Sequence, residues 1–471
     1  MENNMTPASS GLPRRDFLKK TATAAAAVAA TPLFRTPVYG QNQAPSANVA
    51  GANNRIAVGI VGVGFGIGMN HFTGIQEKAT ENNVVVAAGC DVYSQRRAWM
   101  KGEVKLAYAN EGKVLANPLK DADVYVDHRK LLERKDIDAV LIATHDPLHA
   151  QVSIDALEAG KHVYCEKPLT RYLGEAFQVY DKVKSSGKIF QIGSQGCSAG
   201  GYQKCAELIK AGKIGTLVWA QAWYSRNSMN GEWNYPVESE STAANIDWER
   251  WLGPVKKREP FSAEQYHRWR KYFPYCAGPL GDLAPHRLHP LMLATGNPEF
   301  PVRVVSIGTR NVHSDKNVEG TPEREVPEHA QLLAEFPSGY VLMVTCCTVN
   351  GSTPGLSLFG HKANLNVDAT AGKVDLVPQR EFGDEIDPEN FASLQPEEIR
   401  VHEKNWFDCI RSGKQPNASI DLAIRVQTVI SLAEMSDRLK IACVFDEKTR
   451  KVTTDGGTEV TPLTYGTLPQ S

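Results

Sequence analysis

The sequence has no excess of charge of either sign. Its 52 lysine and arginine residues are balanced by 53 aspartate and glutamate residues, which leaves a net charge of −1. This composition supplies no broad basic field to hold nucleic acid, and no acidic excess indicates a cationic partner. The 471 residues are enough for two domains, each with its own core. We therefore expect a globular protein without a nucleic-acid partner.

The cysteines follow no disulfide or metal-ligand pattern. There are nine of them, and no Cys-x-x-Cys pair or cysteine–histidine spacing of the zinc type occurs. We expect most of them to be small buried apolar residues, and the cysteines predict no metal site. They are Cys90, Cys165, Cys197, Cys205, Cys276, Cys346, Cys347, Cys409 and Cys443.

The first forty residues have the features of an export signal. Arg14 and Arg15 precede a small-residue run at 21–30, which is shorter than the ~20 residues of a membrane span. Twin arginines before a short, mildly apolar stretch are typical of a twin-arginine signal. We predict a signal peptide at 1–40, a linker at 41–54 and a periplasmic mature protein without a membrane segment. An anchoring helix or a disordered tail is the alternative.

Buried strands alternate with helices in the next part of the chain. The runs 56–61, 84–90 and 138–144 are almost continuously apolar, as in parallel strands that are covered on both faces. A helical pattern at 150–159 follows the third run. This alternation predicts a Rossmann domain with a doubly wound parallel sheet, to which we assign residues 55–172.

The sequence pattern changes after residue 172. The runs 217–224 and 340–345 are rich in β-branched and aromatic residues and are separated by long loops. We predict an α+β domain at 173–455 with a large mixed or antiparallel sheet, followed by a polar tail at 456–471.

A glycine-rich turn follows the first strand. Gly62 permits a tight turn, and Gly64 lets the backbone approach a pyrophosphate at the N-terminus of the next helix. The usual G-x-G-x-x-G spacing would put a glycine at position 67, whereas glycines stand at 66 and 68, so the loop is shifted or one residue longer. The residues expected to bind the cofactor here are Gly62, Gly64, Phe65, Gly66 and Ile67.

Asp91 ends the second strand. A carboxylate at this position can accept hydrogen bonds from the adenosine ribose hydroxyls and would repel a 2′-phosphate. We therefore predict NAD as the cofactor. Arg96 and Arg97 are close enough in sequence to keep NADP open.

The segment 138–170 carries a specific motif. It reads DAVLIATHDPLHAQVSIDALEAGKHVYCEKPLT, with the triplet Glu166-Lys167-Pro168 after a strand. This resembles the Gfo/Idh/MocA family, named for glucose–fructose oxidoreductase and inositol dehydrogenase, and the resemblance runs from about Arg55 to about Lys451. It implies a Rossmann domain, a second domain whose open sheet forms a homo-oligomer (dimer or tetramer), and oxidation or reduction of sugars or cyclitols with NAD or NADP.

The resemblance also implies roles for particular residues. Lys167 would lie beside the nicotinamide and the reacting carbon, where an ammonium group lowers the pKa of a developing alkoxide. Thr144, His149 and Glu166 are assigned to the cofactor site. A lone histidine at a helix start, such as His149, is equally compatible with a structural role.

A second motif spans residues 281–289 and resembles the family's D-x-x-x-H pattern. Asp282 and His286, four residues apart on a predicted helix, share one face. The resemblance makes His286 the proton acceptor, oriented by Asp282; a helix cap at Asp282 is the alternative. His289 stands where the family commonly has a carboxylate, and on the same face it raises a metal hypothesis. We predict no metal, because no further ligand is evident.

Six of the eight tryptophans lie within a short stretch of the second domain, interleaved with tyrosines. Aromatic faces stack on sugar rings, although most of these residues are expected in the core. Arg268 and Arg270, in the same stretch, are candidates for binding an anionic or hydroxyl-rich substrate. Lys167, Arg268, Asp282, His286 and His289 form the predicted substrate site.

The leading hypothesis is an oxidoreductase that moves a hydride to or from a secondary hydroxyl carbon of a sugar or cyclitol. A rival is a glycoside hydrolase that uses bound NAD transiently through oxidation, elimination, water addition and reduction. Export favours the rival, because free NAD is scarce outside the cytoplasm. A non-catalytic carbohydrate sensor on the same fold is the third class, and the presence of Lys167, Asp282 and His286 argues against it.

Overall fold

The computed structural model describes residues 54–106 and 115–467 of the chain. The predicted export signal, residues 1–40, lies outside these ranges and stays a prediction. Within them, no helix is long and apolar enough to cross a lipid bilayer. All nine cysteines fall in the described ranges, and each is buried with a free thiol, as expected of small apolar residues.

The first sheet has six parallel strands in the order β3-β2-β1-β4-β5-β6. Every residue of the first and fourth strands is buried, because helices cover both faces. The strand order reverses between β1 and β4. This confirms the predicted doubly wound Rossmann sheet and puts a crevice at the carboxyl ends of these two strands. The strands are β1 (Ile56–Val61), β2 (Val84–Cys90), β3 (Val124–Tyr125), β4 (Ala139–Ile142), β5 (His162–Glu166) and β6 (Phe190–Gly193).

The helices of the described ranges connect the strands of both sheets. In chain order they are α1 (Ile67–Glu77), α2 (Ala79–Asn82), α3 (Ser94–Met100), α4 (His128–Leu132), α5 (Asp146–Glu158), α6 (Leu173–Ser186), α7 (Gly200–Lys210), α8 (Trp248–Leu252), α9 (Ala263–His267), α10 (Pro279–Asp282), α11 (Pro285–Ala294), α12 (Ile399–Ser412) and α13 (Ile420–Leu439).

The first sheet draws on residues beyond 172, where the sequence analysis ends the Rossmann domain. Strand β6 pairs with β5, and α12 contributes Trp406 and Phe407 to the apolar core that also contains Val58 and Leu141. Part of the support for the predicted cofactor site therefore comes from the C-terminal part of the chain.

The second sheet has eleven strands in the order β14-β13-β12-β11-β7-β10-β9-β8-β15-β16-β17. Strand β7 pairs in parallel with β10, and the remaining neighbours pair antiparallel, which confirms the predicted mixed sheet. Its strands are β7 (Leu217–Ser225), β8 (Arg303–Thr309), β9 (His329–Glu335), β10 (Val341–Cys347), β11 (Leu356–Gly360), β12 (Ala363–Asp368), β13 (Lys373–Pro378), β14 (Glu389–Phe391), β15 (Cys443–Asp446), β16 (Lys451–Thr454) and β17 (Glu459–Val460).

The two faces of the second sheet differ. One face packs against α13, where the Ser306 backbone N–H donates to the Ser436 hydroxyl at 3.0 Å. On the strands of the same sheet, Trp219, Ile307 and Leu333 are exposed large apolar side chains. Alternation of buried and exposed residues along β8 and β9 shows that the opposite face is open within the described chain.

The segment that carries Asp282 and His286 is not one helix, so that part of the prediction is wrong. Helix α10 ends at Asp282, and α11 begins at Pro285. Pro285 has no N–H to donate to the carbonyl of Gly281, so the helical hydrogen-bond ladder breaks there.

Candidate active site

A cavity of about 960 Å³ lies at the carboxyl ends of β1, β2 and β4. This is the position where doubly wound sheets bind ligands. The glycine turn, Asp91 and Thr144 line it from the Rossmann side, and residues between 226 and 270 line it from the second domain. The cavity therefore has walls from both the predicted cofactor domain and the predicted substrate domain.

The glycine turn, which the sequence predicts to bind the cofactor, lines the cavity. Gly62 has φ +86°, and a Cβ there would come within 2.7 Å of the backbone of Ala143. A Cβ on Gly68 would overlap the carbonyl oxygen of Gly62. Gly68 therefore provides the close packing of helix on strand that the third glycine usually provides. This resolves the shifted spacing: the loop is one residue longer, and Ile67 starts α1. Gly64, Phe65, Gly66 and Ile67 line the cavity.

Asp91 both fixes the glycine turn and faces the cavity. Its carboxylate accepts the backbone N–H of Val63 at 2.8 Å and that of Tyr93 at 2.9 Å. The two neighbouring arginines are engaged elsewhere: Arg97 donates to the backbone carbonyl of Asp91 at 2.8 Å, and Arg96 lies 3.5 Å from Glu238. Both guanidinium groups therefore already have partners within the fold, and neither is held in place for a 2′-phosphate.

Thr144 and His149 lie at the end of β4 and the start of α5. Thr144 lines the cavity, and its hydroxyl is buried without a hydrogen-bond partner among the described residues. His149 does not line the cavity. Its ring nitrogens lie 2.7 Å from the carbonyl oxygen of Pro168 and 3.1 Å from that of Thr144. Burial lowers the pKa of His149, so the ring is neutral and donates to one of these two carbonyl oxygens.

Lys167, Asp282 and Arg270 form one buried ionic cluster. The Lys167 ammonium donates to the Asp282 carboxylate at 2.9 Å and to its backbone carbonyl at 2.7 Å. Arg270 lines the cavity and donates to the same carboxylate oxygen at 2.9 Å. Burial alone would raise the pKa of Asp282, but Arg270 and Lys167 hold that pKa well below its usual range. Asp282 is therefore a carboxylate that positions two cations.

His286 joins this cluster from the first turn of α11. Its ring stacks on Tyr224 with centroids 4.8 Å apart and an interplanar angle of 15°. Burial, and next the charge of Lys167, lower the pKa of His286 well below its usual value. The imidazole is consequently neutral at neutral pH, which is the form that can accept a proton.

Two predicted substrate residues do not join the cluster. His289 is buried in the core, where its Nδ1 lies 2.9 Å from the carbonyl oxygen of Pro285. Arg268 donates to the backbone carbonyl of Tyr235 at 2.7 Å and to Glu264 at 2.9 Å. Both side chains are turned to partners within the fold, and neither lines the cavity. In the described ranges, no group of three or more His, Cys, Asp or Glu side chains is arranged to hold a metal.

Glu166 contacts a histidine and does not line the cavity. His71 Nε2 lies 2.9 Å from Glu166 and His71 Nδ1 lies 2.6 Å from Glu403 of α12. Burial alone would lower the pKa of His71, but its contacts with Glu166 and Glu403 raise it to about 9. A charged histidine thus bridges two carboxylates behind the loop that carries Lys167.

Sequence reasoning missed Arg226, which lines the cavity. It noted Tyr235 and Tyr224 only as part of the aromatic stretch; Tyr235 lines the cavity, and Tyr224 supports His286. The signal for Arg226 and Tyr224 was their place at the carboxyl end of a predicted strand. Of the clustered tryptophans, Trp251 and Trp269 line the cavity, whereas Trp233 and Trp248 are core residues.

The residues at this site fit a dinucleotide. The close approach of Gly62 to the end of β4 and the N-terminus of α1 form a backbone cradle that larger side chains would fill. The unpartnered Thr144 hydroxyl and the Asp91 carboxylate supply polar groups on either side of it. The cavity volume is at the upper end of the usual range for ligand sites.

Two family models match the chain. The model described as "Oxidoreductase family, NAD-binding Rossmann fold" matches residues 56–194. The model described as "GFO/IDH/MocA C-terminal domain" matches residues 202–366.

Curated relatives and solved structures agree with these matches. Inositol 2-dehydrogenase 3 of Saccharopolyspora erythraea is 29% identical over 199 residues, which are 42% of this chain and 53% of the relative. Inositol 2-dehydrogenase of Salmonella typhimurium is 29% identical over 221 residues, 46% of this chain and 58% of the relative. The chain thus spans about half the length of these relatives.

Among solved structures, a levoglucosan dehydrogenase in complex with NADH and levoglucosan is similar, with a TM-score of 0.60 and 18% identity over 82% of this chain and 98% of that one. An aldose-aldose oxidoreductase from Caulobacter crescentus has a TM-score of 0.59 and 18% identity over 83% of this chain and 100% of that one. At this level of identity the structures show the shared fold.

Proposed function

Because this chain belongs to the Gfo/Idh/MocA family of oxidoreductases with an NAD-binding Rossmann fold, we propose that it moves a hydride to or from a secondary hydroxyl carbon of a sugar or cyclitol. The observation that carries the proposal is the cluster of Lys167, Asp282 and His286. Arg270, which donates to Asp282, links this cluster to the cavity that the glycine turn lines. The inositol dehydrogenases and the levoglucosan dehydrogenase among the similar proteins support this substrate class.

Each residue of the cluster has a defined task in this proposal. NAD, when bound, supplies the hydride acceptor. The neutral imidazole of His286 takes the proton of the substrate hydroxyl, and the Lys167 ammonium stabilises the oxygen as negative charge develops on it. Asp282 stays ionised between Lys167 and Arg270 and keeps both cations in place.

We expect the protein to bind NAD at least about tenfold more tightly than NADP. The Asp91 carboxylate at the cavity wall would repel a 2′-phosphate, and the nearby Arg96 already lies against Glu238. Titration of purified protein with each cofactor, followed by protein fluorescence, measures both affinities. Equal or tighter binding of NADP would remove this role from Asp91.

A glycoside hydrolase that uses NAD transiently is the second candidate, and one observation favours it. Residues around α8 line the cavity together with the Rossmann domain: the Ser94 backbone N–H donates to the Asn245 carbonyl at 2.8 Å, and Trp251 stacks on His145 with ring centroids 4.2 Å apart. A cofactor contacted from both parts of the chain is suited to remain bound and to be reduced and reoxidised within one turnover.

Product analysis in deuterated buffer separates the two enzyme classes. A dehydrogenase converts a free sugar to a ketone and accumulates one reduced cofactor per turnover. The hydrolase releases the aglycone of an aryl glycoside without net cofactor reduction, and it places deuterium beside the carbon that is transiently oxidised. We expect the first result. Release of aglycone with deuterium incorporation would replace the proposal by its rival.

We also propose that the mature protein is periplasmic. The support is the Arg14-Arg15 pair and the small-residue run behind it. Changing both arginines to lysine is expected to leave uncleaved precursor in the cytoplasm, as measured by cell fractionation and blotting. Unchanged export of the double variant would argue against a twin-arginine signal.

The open face of the second sheet supports a further part of the proposal, a homo-oligomer. Trp219, Ile307 and Leu333 give this face exposed apolar side chains, and Trp219 stacks on Phe359 with ring centroids 4.2 Å apart. Exposed apolar side chains on an uncovered sheet face are typical of protein–protein interfaces.

A further inference from the structure

Arg226 lies where the second sheet meets the cavity. It directly follows β7, and its backbone N–H donates to the carbonyl of Cys347 at the end of the neighbouring strand β10, at 2.8 Å. Its side chain lines the cavity and is only partly buried. The guanidinium donates to the Tyr224 hydroxyl at 3.0 Å. Both ends of the residue are therefore fixed, and the remaining guanidinium N–H groups are available to the cavity.

Arg226 is close to the reacting centre. Its Cζ lies 5.1 Å from the centroid of the Tyr224 ring, and His286 stacks on that same ring. The charges of Lys167, Arg226 and Arg287 each lower the pKa of His286, although burial is the larger cause. A group held by Arg226 would thus belong to the same small molecule whose hydroxyl reaches His286.

Arg226 differs from the other arginines of the cavity wall in its ion pairing, because each of the others lies at ion-pair distance from a carboxylate. Arg96 lies 3.5 Å from Glu238, Arg129 lies 3.5 Å from Asp155, and Arg270 lies 2.9 Å from Asp282. Arg250 pairs with Asp247. Within residues 54–106 and 115–467, Arg226 has no carboxylate at ion-pair distance. Arg226 is thus the arginine of this wall whose guanidinium is not paired with a carboxylate of the described chain, and an anionic ligand in the cavity can accept its hydrogen bonds.

We propose that the substrate is an acidic sugar or polyol and that Arg226 binds its carboxylate. This inference rests on the proposed function and narrows its substrate class. The planar guanidinium matches a carboxylate in two parallel hydrogen bonds, and the Tyr224 hydroxyl, which accepts from Arg226, has its own hydrogen to donate to the same group. Lys167 and Arg270 share one carboxylate, Asp282.

Paired substrates test this inference. D-glucuronate, D-galacturonate and D-mannuronate are compared with glucose, galactose and mannose and with the 6-phosphates of these sugars, using NAD reduction as the readout. At least one uronate is expected to have a kcat/KM about 10- to 100-fold above that of its parent sugar, the range for a hydrogen bond to a charged group. Arg226→Gln should remove this preference, and Arg226→Lys should restore part of it.

Arg287→Gln is the matched control. Arg287 lies over the same Tyr224 ring, with its Cζ 4.9 Å from the centroid, but it does not line the cavity and donates to the carbonyl of Trp223 at 3.0 Å. Its replacement should leave the ratio of uronate to parent sugar within about threefold of that of the wild type. A preference for the neutral sugar or the phosphate, or an equal loss on both members of a pair in Arg226→Gln, would overturn the inference.

Calorimetry separates failure of this inference from failure of the proposed function. Each uronate and its parent sugar are titrated into the NAD-saturated protein. If no sugar is oxidised but a uronate binds and Arg226→Gln abolishes its binding, hydride transfer fails while the acidic-ligand site stands. If neutral sugars are oxidised and no uronate binds, hydride transfer stands and Arg226 is wrongly assigned. A loss of NAD affinity in Arg226→Gln would also overturn the inference, since Arg226 would then contact the cofactor.

Discussion

Replacing Lys167 or His286 by alanine is expected to lower kcat by about 10²- to 10⁴-fold, the usual contribution of an acid–base group. The expectation follows from the position of both side chains around Asp282. Without Lys167 the developing negative charge on the substrate oxygen loses its nearest ammonium. Without His286 the hydroxyl proton has no neutral imidazole to accept it.

The pH dependence of the wild type adds a second test of His286. Burial and the charge of Lys167 lower the pKa of this histidine well below 6.5. The imidazole therefore stays unprotonated as the pH falls through 6.5, and the acid limb of kcat for hydroxyl oxidation should lie below that value. In His286→Ala this limb should disappear.

Steady-state kinetics on an oxidised sugar, with NAD titration of the same variants, measure these effects. Cofactor affinity should stay largely intact, because neither residue is part of the glycine turn or of the Asp91 contacts. His289→Gln is the matched control, since His289 lies on the same helix but is turned into the core. A variant of Lys167 or His286 that retains more than about a tenth of the wild-type kcat would take that residue off the catalytic list.

Local patterns in the sequence were sufficient for the Rossmann sheet and the cofactor cradle. Strands such as Ile56–Val61 are apolar throughout because both faces are covered. The glycine turn after this strand gained its meaning from Asp91 at the end of the second strand. The same reasoning did not predict the break between Asp282 and His286. It put both residues on one helix, whereas the missing N–H of Pro285 ends one helix and starts another.

Contacts between distant parts of the chain could not be predicted in this way. His71 and Glu403 are 332 positions apart, yet their side chains meet at 2.6 Å. Arg226 gave no signal beyond its place after a strand, because its importance comes from the lack of a carboxylate partner around it in the described structure. Arg268, a more conspicuous candidate in the sequence, is occupied by Tyr235 and Glu264. Only the fold decides which arginine keeps free donors.

Replacing His71 by leucine is expected to lower the free energy of unfolding by about 3–5 kcal/mol, the usual cost of removing one partner from a buried ionic group. His71 is fully buried between Glu166 and Glu403. The substitution leaves Glu166 without its cationic partner and leaves Glu403 with Arg400, at 2.5 Å. Urea unfolding of wild type and variant at one pH, followed by circular dichroism, gives the difference.

The pH dependence of stability identifies the charge on His71 as the cause. The pKa of His71 is about 9 in the folded protein, against about 6.5 in an unfolded chain. The folded state therefore binds more protons between these values, so this stabilisation is complete below pH 6.5 and is lost as the pH rises toward 9. The loss is on the order of 3 kcal/mol, and it should be absent from His71→Leu.

His402 provides the control, because its pKa is shifted in the opposite direction from that of His71. Both histidine rings contact Tyr164, with centroids 5.3 Å away for His71 and 5.8 Å for His402. His402 instead meets neutral partners, Ser198 at 2.7 Å and the carbonyl of Ile192 at 2.9 Å, and burial lowers its pKa to about 4. His402→Gln should thus alter the pH dependence of stability only on the acid side, by removing the loss of stability that occurs as the pH falls from 6.5 toward 4. If His71→Leu kept the alkaline loss of stability, or if His402→Gln removed it, His71 would not be the charged bridge between the two carboxylates. Glu166 also accepts the backbone N–H of Lys167 at 3.3 Å. His71→Leu therefore links the stability of the His71–Glu166–Glu403 group to the position of the proposed catalytic lysine.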